Sequence, residues 1–223
     1  MTSHRYSRDR NPRDRGAAAA AGNRLLEAAA RGDEAGVREA LDAGADPEVR
    51  DAAGRTPLLL AALGDHVAAA GTLVAAGADP DAQDERLNSS WLVTGVTGSV
   101  AMMRALLPAD PDLTLRNRFG GIALIPACER GHVAYVRAAL RETEMDVDHV
   151  NRLGWTALLE AVILGDGGAA HQEVVRLLLA AGATPDLPDG DGVTARQHAR
   201  RLGFDRVERL LGLAETAAEV TAG

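Results

Sequence analysis

The sequence predicts an all-α solenoid of about six helix-turn-helix units that are linked by hairpin-like turns. Two observations carry this prediction. A short apolar helix pattern returns at a nearly constant period, and each copy is followed by a second amphipathic pattern and an acidic link. One such unit has an apolar face that it cannot bury alone, so neighbouring copies must cover one another.

The period is clearest when Thr56, in the segment RTPLLLAALGDH, serves as the reference. Steps of 33, 33, 34 and 38 residues forward, and one step of 33 residues back, reach a similar apolar segment each time. The equivalent positions are Asn23, Ser89, Ile122, Thr156 and Thr194. Six copies in one chain are strong evidence for stacked units.

The second unit shows why each copy forms two helices. The Thr56 hydroxyl can cap a helix start, and Pro57 suits a first turn where its missing N–H is not needed. Gly64 and Asp65 end that helix in a tight turn. The second helix is predicted over 67–76, and it stops at Gly77, which can adopt a positive φ angle.

Later units depart from this pattern in three places. The third unit has Ser89 and Trp91 where the second has Thr56 and Leu58. The fourth has Ile122 at the capping position, and Pro126 inside its first helix should remove one backbone hydrogen bond and make that helix irregular. The fifth has a glycine-rich insertion, 165–168, between its two helices.

These segments resemble the ankyrin-repeat family. The resemblance is carried by Thr56-Pro57-Leu58, Gly131-His132 and Gly77-Ala78-Asp79, and it covers about residues 23–212. The segments starting at 116 and 151 are also similar to a particular bacterial ankyrin-repeat group. The resemblance implies the fold more than an activity, and it implies that His66 and His132 bind backbone atoms of neighbouring repeats.

Composition limits the remaining possibilities. The chain has 223 residues and a net charge of −8, with an Arg-rich segment, 1–22, that carries +3. We predict a disordered tail over 1–22, whose deletion should leave the melting temperature almost unchanged, and a C-terminal tail over 213–223. The acidic body argues against nucleic acid. The absence of a long apolar run and the single cysteine, Cys128, favour a cytoplasmic protein without a membrane span.

Three features could carry chemistry, but each also has a structural explanation. The 165–168 loop could cradle an anion through backbone N–H groups, although it lacks a P-loop lysine. Asp166 and His171 could bind a metal, but two ligands are too few. Cys128 could be a nucleophile, yet it occupies a small-residue position in the core pattern. We therefore predict no enzyme activity, cofactor or metal.

The resemblance implies a partner-binding surface on the concave face, formed by the turns before each reference position and by the ends of the first helices. In the two middle turns this surface gathers arginines and large apolar side chains, which are enriched in binding hot spots. The predicted partner-binding residues are Arg116, Arg118, Phe119, Glu129, Arg130, Arg152, Leu153 and Trp155. The alternative is that Phe119 and Trp155 pack between turns while the arginines pair with acids such as Glu129.

The leading functional hypothesis is a non-enzymatic module that binds an acidic or mixed segment of a partner protein, as a monomer or weak homo-oligomer. A second hypothesis is a small-molecule or anion site, possibly catalytic, that uses the 165–171 loop. A third is assembly of several copies through an apolar patch near that loop. Fold alone does not choose among these.

Overall fold

A computed structural model describes residues 12–222 of the chain, and the side chains of residues 17–216. In this range the chain forms twelve α-helices in six consecutive pairs, which confirms the predicted solenoid. The pairs are α1 (Pro12–Arg31) with α2 (Glu34–Asp42), α3 (Pro57–Leu63) with α4 (Val67–Ala75), α5 (Ser90–Thr97) with α6 (Val100–Leu106), α7 (Leu124–Glu129) with α8 (Val133–Glu142), α9 (Ala157–Ile163) with α10 (Ala169–Ala180), and α11 (Ala195–Leu202) with α12 (Asp205–Ala222). A 3₁₀ turn, Leu107–Ala109, follows α6.

The helices form two rows that run the length of the solenoid. The first helices of neighbouring units pack on one another, as do the second helices, and the buried core lies between the two rows. Small side chains such as Ala61, Ala62 and Ala127 are fully buried there. Because alanine has little bulk, the helices can approach closely with few aromatic residues in the core.

Most first helices begin with a side-chain cap at the reference position. The hydroxyl oxygens of Thr56 and Thr156 each accept the backbone N–H three residues on, at 3.2 Å, and Ser89 does the same. The fourth unit lacks this cap because Ile122 has no polar atom, and α7 starts one position later, at Leu124.

Pro126 makes α7 irregular, as the sequence predicts. In the second unit, Leu60 N–H donates to the Thr56 carbonyl. Pro126 is the equivalent of Leu60 and has no N–H, so the Ile122 carbonyl accepts from Ile125 instead, at 3.2 Å. The replacement is a tighter, 3₁₀-type bond, and it moderates the cost of the proline.

The predicted hairpin-like turns, here called fingers, are closed by two kinds of hydrogen bond. In the finger before Thr56, Asp51 N–H donates to the Arg55 carbonyl, and the Asp51 side chain accepts the N–H groups of Ala53 and Arg55. The later fingers repeat this arrangement with Asp84, Asn117, Asn151 and Asp189. A short polar side chain thus fixes the shape of each finger.

Both ends of the solenoid differ from the predicted domain boundaries. Helix α1 begins at Pro12, so the predicted boundary at 22–23 falls inside a helix, and Ala21 is buried. The alanine-rich stretch has high helix propensity; its first four alanines are exposed, and Ala21 joins the core. Helix α12 likewise continues past 213, and Glu215 pairs with Arg196 at 2.7 Å. The part of the predicted N-terminal tail before residue 12 lies outside the described residues.

The predicted histidine contacts are present. His66 Nε2 donates to the Ala30 carbonyl and His132 Nε2 to the Val96 carbonyl, each at 3.2 Å. Both bonds join one repeat to the preceding one. Of the helices in the described residues, none has both the length and the apolar character that crossing a membrane requires.

Candidate functional site: a cavity at the central fingers

The fingers and first helices of the third, fourth and fifth units border a half-open cavity of about 370 Å³, here called the central cavity. Its walls come from finger residues and from α5, α7 and α9. The lining residues are Asn88, Val96, Asn117, Arg118, Phe119, Gly121, Ile125, Pro126, Glu129, Arg130, Asn151, Leu153, Glu160 and Leu164. This size is at the lower end of the range for small ligand pockets.

Exposed apolar side chains gather around the central cavity. In the described residues, nine large hydrophobic side chains are exposed, and four of them line this cavity. They are Val96, Phe119, Leu153 and Leu164. Phe119 and Leu153 are 53% and 56% exposed. A concentration of apolar surface in one concavity is typical of a binding site, whereas single exposed leucines are ordinary.

The structure brings five of the eight predicted partner-binding residues to the central cavity. They are Arg118, Phe119, Glu129, Arg130 and Leu153. The other three, Arg116, Arg152 and Trp155, lie outside its lining. Trp155 is half-buried and packs against the core.

The arginines of the central fingers make different contacts. The Arg118 guanidinium lies over the Phe119 ring, 4.5 Å from its centre. Arg130 donates to Glu129 Oε2 at 2.9 Å and to the Pro126 carbonyl. Arg152 donates to the Arg118 carbonyl at 2.8 Å, so this arginine ties the fifth finger to the fourth.

Glu160 is a cavity residue that sequence reasoning missed. It lies on α9 and is only 7% exposed. Its Oε1 accepts a hydrogen bond from Asn151 Nδ2 at 2.7 Å. Burial is the main cause that raises the pKa of Glu160, and the negative charge of Glu129 adds to it; the Asn151 bond and Arg130 oppose the shift, and the resulting pKa is about 7. A buried carboxyl group with such a pKa marks a candidate functional site.

Asn151 connects the fifth finger to this carboxyl group. Its Oδ1 accepts the N–H groups of Leu153 and Trp155, which fixes the finger, and its Nδ2 binds Glu160. The Asn151 amide therefore fixes the positions of the apolar Leu153 and the acidic Glu160 relative to one another.

Cys128 lies behind the cavity as a fully buried free thiol. Burial, with a smaller contribution from the charge of Glu160, raises the pKa of this thiol far above its usual value. A thiol held in its neutral form is a poor nucleophile. Its position agrees with the structural explanation.

The glycine-rich loop before α10 is held by contacts of its own. His171 Nε2 donates to the Glu129 carbonyl at 3.0 Å, the same interrepeat bond that His66 and His132 make. His171 Nδ1 lies 2.8 Å from Asp166 Oδ1. The N–H of Gly168 is the main cause that lowers the pKa of Asp166. In the described residues, no three His, Cys, Asp or Glu side chains come together as a metal site would require.

Comparisons with known proteins agree with this architecture. Family models described as ankyrin repeats match residues 91–189 and 25–73. The chain is 41% identical over 186 residues to the Escherichia coli (strain K12) ankyrin repeat protein YahD, which covers 83% of this chain and 92% of that protein.

Two solved structures are similar along most of the chain. An ankyrin repeat domain from Acinetobacter baumannii AYE has a TM-score of 0.82 and 44% identity, and the match covers 86% of this chain and 97% of that one. The ankyrin repeat protein EF0377 has a TM-score of 0.82 and 36% identity, with the same coverage.

Stacked helix pairs with projecting fingers define a helical repeat scaffold. The chain belongs to the ankyrin repeat family. This family is generally a non-enzymatic scaffold for protein–protein interaction.

Proposed function

We propose that this chain is a non-enzymatic interaction module that binds a segment of a partner protein in its concave groove, centred on the central cavity. The observation that supports the proposal most directly is the group of exposed apolar side chains at that cavity, with Phe119 and Leu153 on adjacent fingers. Hot spots commonly form where large apolar side chains surround a pocket.

The charges around the groove favour a partner of mixed charge. Arg116, Arg118 and Arg152 are exposed on the fingers, whereas Glu129 and Glu160 lie deeper in the cavity wall. A partner segment with acidic residues at the finger tips would complement this distribution. The acidic charge of the whole chain disfavours nucleic acid as the partner.

We further propose a cytoplasmic setting and a monomer or weak homo-oligomer. A lone buried thiol suits a reducing compartment, because no disulfide is needed to hold the fold. Light scattering over a range of concentrations measures the oligomeric state.

The experiment uses the full chain as bait in lysate of its native cell, followed by mass spectrometry and calorimetry with the purified partner. The variant is Phe119→Ala with Leu153→Ala. Both side chains are more than half exposed, so the fold should persist while the apolar contact is lost. We expect binding to weaken by about tenfold or more.

Leu213→Ala is the matched control, because Leu213 is 72% exposed on α12. It should leave affinity unchanged. Equal affinity of the double variant and the wild type would refute the proposed surface. Trp155→Ala is less suitable, because Trp155 packs on the core and its loss would also change stability.

A further inference from the structure

Glu160 is buried with an incomplete set of partners. The Glu160 side chain lines the central cavity. Its Oε1 accepts a hydrogen bond from Asn151, whereas no described residue donates one to Oε2. A buried carboxylate that lacks a cation or several donors is costly. Oε2 is not among the fully buried atoms without a partner, so it remains open to the cavity, where water or an occupant can supply the missing donors.

A second carboxylate lines the same cavity. Glu129 Oε2 already accepts a hydrogen bond from Arg130 at 2.9 Å, but the charge of Glu129 still acts on Glu160. Arg130 pairs with Glu129, whereas in the described residues no cation forms a salt bridge with Glu160, so a second cation would relieve the remaining repulsion. The charge at the base of the cavity is thus complementary to a positive group.

The walls suit an aliphatic stem. Ile125 and Leu164 line the cavity from α7 and from the end of α9, and Phe119 and Leu153 line it from the fingers. Long basic side chains bury their methylene groups against such surfaces while the charged end reaches a polar partner. Guanidinium is more weakly hydrated than ammonium, and its planar fork matches a carboxylate with two parallel hydrogen bonds.

We propose that the central cavity receives the guanidinium of an arginine side chain carried by the partner segment, with Glu160 and Glu129 as its carboxylate acceptors. This inference rests on the proposed function. The rim adds a second requirement. Arg118 and Arg152 are exposed on the two fingers that flank the cavity, so acidic residues on either side of the inserted arginine complement them.

The surroundings of Glu160 determine how this binding depends on pH. Helix α7 contributes Glu129, Arg130 and the neutral thiol of Cys128. Helix α10 contributes His171, which is bound to Asp166 and to the Glu129 carbonyl.

Helix α11, which also packs on α9, carries His198 at the equivalent register position. The His198 Nε2 lies 2.7 Å from Asp189 Oδ2, so this imidazole is hydrogen-bonded to a carboxylate outside the cavity. Glu160 is the cavity group with a pKa near neutrality, at about 7. Arginine binds the carboxylate form, so binding must weaken as the pH falls below 7.

The test uses the full chain and a capped pentapeptide, Ac-Asp-Leu-Arg-Leu-Asp-NH2, with versions in which citrulline, lysine or norleucine replaces arginine. Affinities are measured by NMR titration of labelled protein at pH 8. We expect the arginine peptide to bind most tightly and the citrulline peptide, which is nearly isosteric but neutral, to bind about tenfold more weakly.

Glu160→Gln should weaken the arginine peptide to the level of the citrulline peptide, because the amide keeps the shape and removes the charge. Glu144→Gln, on an exposed residue outside the cavity, makes the same charge change and should have no effect. Between pH 8 and pH 6 the affinity for the arginine peptide should fall about tenfold in the wild type and remain flat in Glu160→Gln.

Three results would overturn the inference. These are equal binding of the arginine, citrulline and norleucine peptides, unchanged binding by Glu160→Gln, and tighter binding at pH 6 than at pH 8. The inference would also fail if N-acetylarginine amide bound as tightly as the arginine pentapeptide, because the cavity would then be a site for a small cation.

The proposed function can survive such a failure. If Phe119→Ala with Leu153→Ala still weakens a captured partner while Glu160→Gln does not, the groove binds protein without an inserted arginine. If neither variant affects that partner, both proposals fail.

Discussion

At the scale of single residues, Glu160 reduces stability near neutral pH. The equivalent positions in the second, third and fourth units are Leu60, Val93 and Pro126, which are apolar. The folded-state pKa of Glu160, about 7, lies above the value of an unfolded glutamate, about 4.3. Below pH 4 the carboxyl group is neutral in both states, and the free energy of unfolding is at its full value. That value falls as the pH rises through 7, because the buried group is then forced to carry a charge.

This argument predicts that Glu160→Gln stabilises the chain at alkaline pH. The free energy of unfolding should rise by roughly 3 kcal/mol more at pH 8 than at pH 4, because glutamine stays neutral where the buried glutamate is charged. Urea unfolding at the two pH values measures the difference. Glu144→Gln should give a small and equal change at both, and equal changes in Glu160→Gln would contradict the burial argument.

The same residue shows what the sequence could and could not predict about the site. Counting along the repeat placed Phe119, Leu153 and Arg118 on the fingers, because finger positions follow from the register. Glu160 follows from the same count as a charged residue at a buried first-helix position, and that signal was present in ALLEAVI. Its partner Asn151 could not be inferred, because their bond joins a finger to a helix through side-chain geometry.

At the scale of elements, the first helices differ in how they begin. Helix α9 is capped by Thr156, whereas α7 lacks a cap and contains Pro126. Pro126 lines the central cavity, so the least regular first helix forms part of its wall. The sequence predicts this irregularity, since neither isoleucine nor proline can supply the missing hydrogen bond.

We expect Thr156→Ala to lower the free energy of unfolding by about 1 kcal/mol, because the N–H of Leu159 loses its partner. Chemical denaturation measures the change. Thr216→Ala is the control, since that exposed hydroxyl donates only to a carbonyl of its own helix, and it should have little effect. A loss as large in the control would show that the cap is not the cause.

The interhelical loop of the fifth unit explains a second limit of sequence reasoning. His66 and His132 lie ten residues after their reference positions, but His171 lies fifteen residues after Thr156. The glycine-rich insertion hides the equivalence, so the sequence alone presents His171 as a possible ligand. In the structure the loop doubles back and returns the imidazole to the preceding repeat.

At the scale of the whole molecule, the solenoid is longer at its N-terminal end than the repeat count predicts. The register begins at Asn23, but α1 begins at Pro12, and a methyl group on Gly22 would lie 3.0 Å from Val49. Repeat periodicity cannot detect this extension, because the added helical turns have no counterpart in the other units. The burial of Ala21 is the observation that assigns this segment to the solenoid.

Deleting residues 1–22 should therefore lower the melting temperature, contrary to the expectation from a free tail. The deletion removes the buried Ala21 and more than half of α1, and each 1 kcal/mol lost should lower the transition by roughly 2–4 °C. Calorimetry measures the melting temperature of this variant and of a variant that lacks only residues 1–11 and keeps the whole of α1. The difference between the two is the contribution of the helical segment 12–22. Identical transitions for the two deletions would mean that the segment adds nothing.

The buried carboxyl group of Glu160 also makes the folded chain a carrier of one exchangeable proton near neutrality. If a guanidinium enters the central cavity as proposed, it should displace into the buffer the part of this proton that Glu160 still holds at pH 7. The heat of binding at pH 7 should then differ between phosphate and Tris, whose ionisation enthalpies differ widely. That difference counts the protons released for each partner bound, and it reports on the interior of the groove without any label.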